Sequence, residues 1–128
     1  MEKENQKFSF KKRAGSFRHA FSGLKVLFSE EHNARIHLVV SILVIISAFY
    51  FQVSRLEWAI LILCIGFVFA MEILNSAIEN LADFVEPNRH EAIKKIKDLA
   101  AAGVLISAIA SAGVGLIILV PKIIIAIN

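Results

Sequence analysis

Residues 99–120 read LAAAGVLISAIASAGVGLIILV, a run of 22 residues without a charged side chain. A helix of about 20 apolar residues crosses the hydrocarbon core of a bilayer, so this run alone predicts a transmembrane helix. The composition agrees, because 57% of the 128 residues are hydrophobic and the mean hydropathy is +0.68. Such values are too high for an ordinary soluble domain, and we predict one integral membrane domain that covers residues 1–128.

Two further apolar segments precede this run. The segment from about residue 35 to 51 is short for a span. Tyr50 near its end and Trp58 after it are aromatic residues of the kind that line membrane interfaces, which supports a span here. The segment from about 56 to 82 is longer and keeps a helical period although it carries acidic residues. With the third span at about 98–120, the sequence predicts an all-α protein with three transmembrane helices.

The N-terminal segment, residues 8–30, has a different pattern. Phe17, Phe21, Leu24 and Phe28 recur at helical spacing, and basic residues lie between them. This pattern predicts an amphipathic surface helix with its aromatic residues in the headgroup layer and its cations facing anionic phosphates. A soluble helix packed on a partner is the alternative, and it is less favoured because the next segment enters lipid.

The basic residues alternate in number between the polar segments. Of the fourteen Lys and Arg residues, eight precede Ile36, one lies in the first loop, four lie in the second loop, and one lies in the C-terminal tail. The second loop is predicted to run from residue 83 to 97, interrupted by Pro87. The positive-inside bias then predicts a multi-pass membrane protein with a cytoplasmic N-terminus and second loop, and an outward C-terminus.

Small residues form a stripe along the third span. Gly103, Ser107, Ser111 and Gly115 follow one another at four-residue steps. Small side chains on one helix face allow a second helix to approach closely. We therefore expect this span to pack against protein and not against lipid alone.

Three polar residues share one face of the second span. Glu72, Asn75 and Glu79 lie at i, i+3 and i+7, near the predicted cytoplasmic end of the helix. An ionisable group at membrane depth costs about 2.5–3.5 kcal/mol, so such a stripe favours a functional role. A carboxylate that only caps the helix or reaches to the interface is the alternative for Glu79 taken alone.

Further charged residues are expected at the same membrane surface. Glu30 and Glu31 precede the first span, and Lys97 and Asp98 precede the third. Carboxylates from two helices can hold Mg²⁺, and a nearby lysine can meet phosphate oxygens. The sequence contains neither a P-loop nor a protein-kinase glycine loop with its catalytic loop, so we predict nucleotide chemistry on a lipid headgroup by another route.

The histidines and the single cysteine predict no metal site of their own. His32 and His37 are five residues apart, which is not a metal-binding helical spacing, and Cys64 is alone in an apolar run. We interpret the histidines as interfacial or loop residues, with His19 as a candidate neighbour of a nucleotide.

Residues 72–79, EILNSAIE, resemble the signature of the bacterial diacylglycerol kinase family, and Lys97-Asp98 resembles the family's second motif. The resemblance extends over nearly the whole chain. It implies a lipid kinase that uses Mg²⁺ and ATP, and a homotrimer whose active sites lie between neighbouring subunits. It implies no nucleic-acid partner.

The resemblance also implies a role for individual residues. Glu72 would be the general base at the lipid hydroxyl, Asn75 would orient the site, and Glu31 and Glu79 would bind Mg²⁺. The implied nucleotide-binding set comprises Lys12, His19, Glu31, Glu79, Asn88, Arg89, His90, Lys97 and Asp98. The implied substrate-binding set comprises Glu72, Arg35 and Leu99.

Residues 12–21, KRAGSFRHAF, are more similar to the Gram-positive branch of the family, whose members resemble undecaprenol kinases. Lys12 and His19 stand where the Gram-negative pattern has an arginine and a tyrosine. The resemblance therefore implies undecaprenol as the substrate and undecaprenyl phosphate as the product. A diacylglycerol kinase that makes phosphatidic acid is the alternative within the family.

Two alternatives of another class remain at this point. A small oligomeric channel or holin-like protein can also have three spans, a small-residue stripe and acidic residues. Pore residues should be spread through the membrane depth, whereas the candidate residues here gather at one face. A nucleotide-binding subunit without catalysis is the other alternative, and it would not need the Glu72 base.

Overall fold

The computed structural model describes residues 10–128, except the side chains of residues 11 and 12. The described residues form four α-helices: α1 (Phe10–Glu30), α2 (His32–Tyr50), α3 (Arg55–Val85) and α4 (Glu91–Ile127). Within this part of the chain, three helices, α2, α3 and α4, are long and apolar enough to cross a membrane. The expectation of an all-α membrane protein is confirmed. The predicted start of the first helix at residue 8 lies outside the described residues.

A single extended residue joins α1 to α2. Glu31 has φ −92° and ψ 114°, and it occupies the N-cap position of α2. Its amide donates a hydrogen bond to the Leu27 carbonyl at 2.9 Å, while its own carbonyl accepts one from the Arg35 amide at 3.4 Å. Both helices therefore continue up to this residue, and the Glu31 carboxylate stands at the bend between them.

The turn between α2 and α3 closes the opposite end of the helices. Gln52 has a positive φ of 50°, and Ser54 begins α3 with a capping box. The Glu57 amide donates to the Ser54 hydroxyl, and the Ser54 amide donates to the Glu57 carboxylate, so two helix-end donors are bonded. Glu57 also pairs with Lys122 of α4 at 3.2 Å, which ties α3 to α4 at this end.

The loop between α3 and α4 is shorter than the predicted range of 83–97. The non-helical residues are 86–90, and α4 begins at Glu91 with the His90 ring accepting a hydrogen bond from the Ala92 amide at 3.2 Å. The segment 91–98, EAIKKIKD, contains good helix formers and no Gly or Pro, so a capped helix can start before it. As a result, Lys97 and Asp98 belong to α4 itself. The helix also continues past Pro121 to Ile127.

Three residues of the small-residue stripe, Gly103, Ser107 and Ser111, lie at the contact of α4 with α3 of the same chain. A Cβ atom added at Gly103 would lie 2.6 Å from Cε of Met71, and the Ser111 hydroxyl donates to the Cys64 carbonyl at 3.3 Å. Ser107, between them, is fully buried. The expected helix-on-helix packing is therefore present within one chain, and its partner is α3.

Candidate active site

Polar residues are buried on one face of α3, near the bend between α1 and α2. The side chains of Glu72 and Asn75 are only 2% and 8% exposed, and Ser76 is buried beside them. The rest of the α3 interior is apolar, with Leu61, Val68 and Ala82 as its buried residues. This face is therefore the one place where α3 removes several polar groups from solvent.

Glu72 faces His37 of α2. The Nε2 atom of His37 lies 3.2 Å from Oε1 of Glu72. No hydrogen bond reaches this buried oxygen from the described residues, because the ring N–H is not aligned with it. Glu31 and Glu79 are near enough to act electrostatically on Glu72, so the carboxylate lies among two other acidic groups.

Asn75 and Glu79 are bonded to each other along α3. The Asn75 side-chain amide donates a hydrogen bond to Oε1 of Glu79 at 3.1 Å. The Oδ1 atom of Asn75 is buried and has no hydrogen-bond partner among the described residues. This carbonyl oxygen is therefore a second unused acceptor beside Glu72.

Glu31 joins the same cluster from the α1–α2 bend. The hydroxyl of Ser76 donates to Oε1 of Glu31 at 3.0 Å, which connects the bend to the polar face of α3. The extended backbone at Glu31 is what allows its side chain to leave the helix direction and reach Ser76. Three carboxylates, from Glu31, Glu72 and Glu79, thus surround the Asn75–Ser76 pair.

The arrangement fits an open cation site better than a closed one. Among the described residues, no group of three or more His, Cys, Asp or Glu side chains is arranged to hold a metal ion. Mg²⁺ often takes only one or two carboxylates and completes its shell with water and substrate phosphates. Glu31 and Glu79 each use one oxygen in a hydrogen bond to a neighbour, and the unused Asn75 oxygen lies with them. This donor set suits Mg²⁺ bound together with a nucleotide.

A second charged cluster lies where α3 and α4 meet their loop. Lys97 Nζ donates to both carboxylate oxygens of Asp83, at 2.9 and 3.1 Å, and Lys94 pairs with Asp98 at 2.7 Å. Lys97 is also near enough to Glu79 to interact with it electrostatically, so this cluster adjoins the first one. An ammonium group is thereby held next to the acidic face of α3.

A groove of about 470 Å³ runs beside this second cluster. It brings together five residues of the predicted nucleotide-binding set: Asn88, Arg89, His90, Lys97 and Asp98. The loop is held by a hydrogen bond from the Asn88 amide to Oε1 of Glu86 at 3.0 Å, besides the His90 cap. Its volume can hold a phosphate chain. Its walls carry three cations and three carboxylates: Arg89, Lys94, Lys97, Asp83, Glu86 and Asp98.

Among the described residues, no side-chain hydrogen bond or ion pair joins the remaining predicted residues to these clusters. The Lys12 side chain lies outside the described part of the chain. His19 on α1, Arg35 on α2 and Leu99 on α4 are exposed. In the described region, no hydrogen bond or ion pair connects these three residues to Glu72.

Sequence reasoning missed three members of the site. The sequence predicts an interfacial or loop position for His37, whereas the structure places it against Glu72. It predicts no role for Ser76 or Asp83, which bond to Glu31 and Lys97. Asp83 lies four residues after Glu79 and extends the i+3, i+4 stripe on α3, so the spacing contained a signal for it. Nothing in the spacing indicated His37, because its partner lies on another helix.

Comparisons with known proteins show which family this chain belongs to. The sequence model of the prokaryotic diacylglycerol kinase family matches residues 18–119, which include both clusters. The undecaprenol kinase of Bacillus subtilis (strain 168) is 37% identical over 107 residues, which cover 84% of this chain and 87% of that protein.

Two diacylglycerol kinases are also similar to this chain. The protein of Synechocystis sp. is 37% identical over 107 residues, which cover 83% of this chain and 61% of that protein. The protein of Escherichia coli (strain K12) is 32% identical over 91 residues, which cover 71% of this chain and 75% of that protein. The chain therefore belongs to the prokaryotic diacylglycerol kinase family, in the branch that includes the Bacillus subtilis protein, and it is a lipid kinase.

Proposed function

We propose that this protein is an ATP- and Mg²⁺-dependent kinase that converts undecaprenol into undecaprenyl phosphate at the cytoplasmic face of the membrane. The observation that carries the proposal is the Glu72 carboxylate, which is buried with Oε1 free of hydrogen bonds, beside two further carboxylates. A buried polar atom is almost always bonded, so an unused acceptor indicates a group reserved for a ligand. A lipid hydroxyl at headgroup depth is a donor that can bond to the Glu72 carboxylate.

The proposed chemistry is direct in-line transfer. The lipid hydroxyl donates its proton to Glu72 while its oxygen forms a bond to the γ-phosphorus of ATP, and the bond from that phosphorus to the bridging oxygen breaks to release ADP. Asn75 and Glu79, bonded to each other, orient the groups around the base. Mg²⁺, for which Glu31 and Glu79 are the proposed ligands, supplies neutralisation of the phosphate charge when it is bound.

The groove between α3 and α4 is the proposed nucleotide site. Its residues Asn88, Arg89, His90, Lys97 and Asp98 face one space, and Lys97 lies between that space and the acidic face of α3. Lys97 is bonded to Asp83. On binding, its ammonium group would exchange Asp83 for a phosphate oxygen, which is an exchange of one exposed ion pair for another.

The proposed orientation has the N-terminus and the active site in the cytoplasm. The excess of basic residues before α2 and around the α3–α4 loop supports it. Phe17 and Phe21 of α1 are 68% and 69% exposed, which suits a helix that lies on the membrane surface with its aromatic residues in the headgroup layer.

We further propose that the working unit is a homotrimer with active sites between neighbouring subunits. Large apolar side chains on α2, α3 and α4, such as Ile46, Leu63 and Ile117, are exposed on one protomer. His19, Arg35 and Leu99 are not joined to Glu72 within the chain, so a neighbouring copy is a source from which they, or the Lys12 side chain, would complete a site. Arg35 and Leu99 are the proposed contacts to the lipid.

The experiment is transfer of radiolabelled γ-phosphate from Mg·ATP by purified protein in mixed micelles that contain undecaprenol, diacylglycerol or no added lipid. We expect label in undecaprenyl phosphate, at a higher rate than in phosphatidic acid. Preference for diacylglycerol would keep the mechanism and change the substrate, and the names of the Synechocystis and Escherichia coli relatives make it the second candidate. A folded protein that labels neither lipid would contradict the proposal and favour a channel.

A further inference from the structure

His37 has no role in the chemistry described so far, although its imidazole ring is paired with the proposed base. It lies on α2, and Glu72 lies on α3, with 3.2 Å between Nε2 and Oε1. The histidine side chain is 25% exposed, whereas Glu72 is 2% exposed. His37 therefore stands between the buried carboxylate and more open space.

The other hydrogen-bond donors near Glu72 are bonded to other residues. The Asn75 amide bonds to Glu79, and the Ser76 hydroxyl bonds to Glu31. Glu31 and Glu79 themselves are acidic and have no proton to donate when ionised. Among the described residues, His37 is the only side chain paired with Glu72.

The two atoms are close enough for a hydrogen bond, because 3.2 Å is within the usual range for N–H···O. The bond forms when the Nε2–H of the imidazole ring points at Oε1. A neutral histidine with its proton on Nε2 can donate, so the contact does not require a charged ring. A donor fixed on Oε1 would hold the carboxylate plane and leave Oε2 free.

We propose that His37 is a positioning residue that holds Oε1 of Glu72 through its Nε2–H, so that Oε2 faces the lipid hydroxyl. This inference rests on the proposed role of Glu72 as the base. The orientation of a base matters because a displacement of about 1 Å can lower a rate by as much as a hundredfold. His37 acts only through Glu72 and makes no contact with the reacting phosphate.

The test compares His37→Leu, His37→Gln and His37→Asn, with His32→Gln as the control on the same helix. We expect His37→Leu to lower kcat about ten- to a hundredfold, with the KM for Mg·ATP unchanged. His37→Gln should restore most of the loss, because its terminal amide reaches the position of Nε2. The shorter His37→Asn should remain as slow as His37→Leu, and His32→Gln should behave as the unmodified protein.

The same substitutions are repeated in protein that carries Glu72→Gln. If His37 acts through Glu72, His37→Leu should cause no further loss there. An equal loss in both backgrounds, a normal kcat for His37→Leu, or a failure of His37→Gln to restore activity in folded protein would each overturn the positioning role. Thermal unfolding in detergent shows whether each variant is folded. If His37→Leu is not folded, the comparison of His37→Gln with His37→Asn tests the positioning role instead.

Failure of the proposed function gives a different result. In that case the unmodified protein would not label lipid, or Glu72→Gln would retain full turnover. Neither result depends on residue 37, so the two failures can be distinguished.

Discussion

The two ends of the three-helix unit differ in whether their polar groups are hydrogen-bonded. At the α2–α3 turn, Ser54 and Glu57 complete a capping box, and Glu57 also pairs with Lys122. Around the α1–α2 bend, Oε1 of Glu72 and Oδ1 of Asn75 are buried without a hydrogen bond from any described residue. The first end uses its polar groups for structure, and the second end keeps some of them unused.

The core residues divide in the same way. The buried apolar cluster of the protein, formed by Ala48, Val53, Leu61 and Ile118, lies beside the α2–α3 turn. The largest fully buried residues include Glu72 at the other end. Folding alone would favour bonded polar groups everywhere, because an unbonded buried acceptor is destabilising. The end around Glu72 is therefore shaped for a ligand, whereas the α2–α3 end is shaped for stability.

The largest effect is expected for Glu72→Gln. An amide has nearly the same shape as the carboxylate but cannot accept the hydroxyl proton, so kcat should fall about 10²- to 10⁴-fold. The melting temperature in detergent should not fall, because no structural hydrogen bond is lost. Normal turnover by folded Glu72→Gln protein would show that Glu72 is not the base.

A smaller loss of activity is expected for Lys97→Met. The change removes the ammonium group that lies between the groove and the acidic face of α3, and kcat should fall about ten- to a hundredfold. Lys95→Met removes the same charge from an exposed position of the same helix and serves as the control. Equal activity of the two variants would exclude Lys97 from the phosphate site.

The sequence was sufficient for the parts of the fold that depend on local patterns. Hydrophobic runs predicted the three spans, and the i, i+3, i+7 spacing placed Glu72, Asn75 and Glu79 on one helix face, where Asn75 and Glu79 are indeed bonded. The loop prediction was wrong for residues 91–97. Their many charged residues suggested a loop, whereas the polar segment 91–98 is helical and follows the His90 cap.

Contacts between helices could not be predicted from the sequence. The hydrogen bond from Ser76 to Glu31 joins residues that are 45 positions apart. The contact of His37 with Glu72 joins residues that are 35 positions apart. The apolar residues of α2 surround the helix, so their pattern does not tell which side faces α3. The sequence also does not tell which helix packs against the small-residue stripe, since such a stripe fits a helix of the same chain or of another subunit.

The stripe gives the third prediction, which concerns stability. Gly103→Leu would drive its side chain into Met71 of α3, and overpacking of this kind costs about 1–3 kcal/mol. Gly113→Leu is the matched control on the same helix, because a Cβ atom at Gly113 meets nothing within 4 Å. Thermal unfolding in mild detergent should separate the two variants. Gly113→Leu as the more damaging change would instead place the close helix contact of α4 at a subunit interface.

The smallest effect is expected at the α2–α3 turn, where two serines differ in what their hydroxyl groups do. Ser54→Ala removes the acceptor of the Glu57 amide and should cost about 1 kcal/mol of stability. Ser47→Ala removes only a hydrogen bond to the Leu43 carbonyl, which is already bonded within α2, and should cost close to nothing. Neither change should alter kcat below the melting temperature, since this end holds no unused polar group in the described residues. A lower kcat for Ser54→Ala at unchanged stability would show that the turn is coupled to the end around Glu72, and that the two ends are not independent.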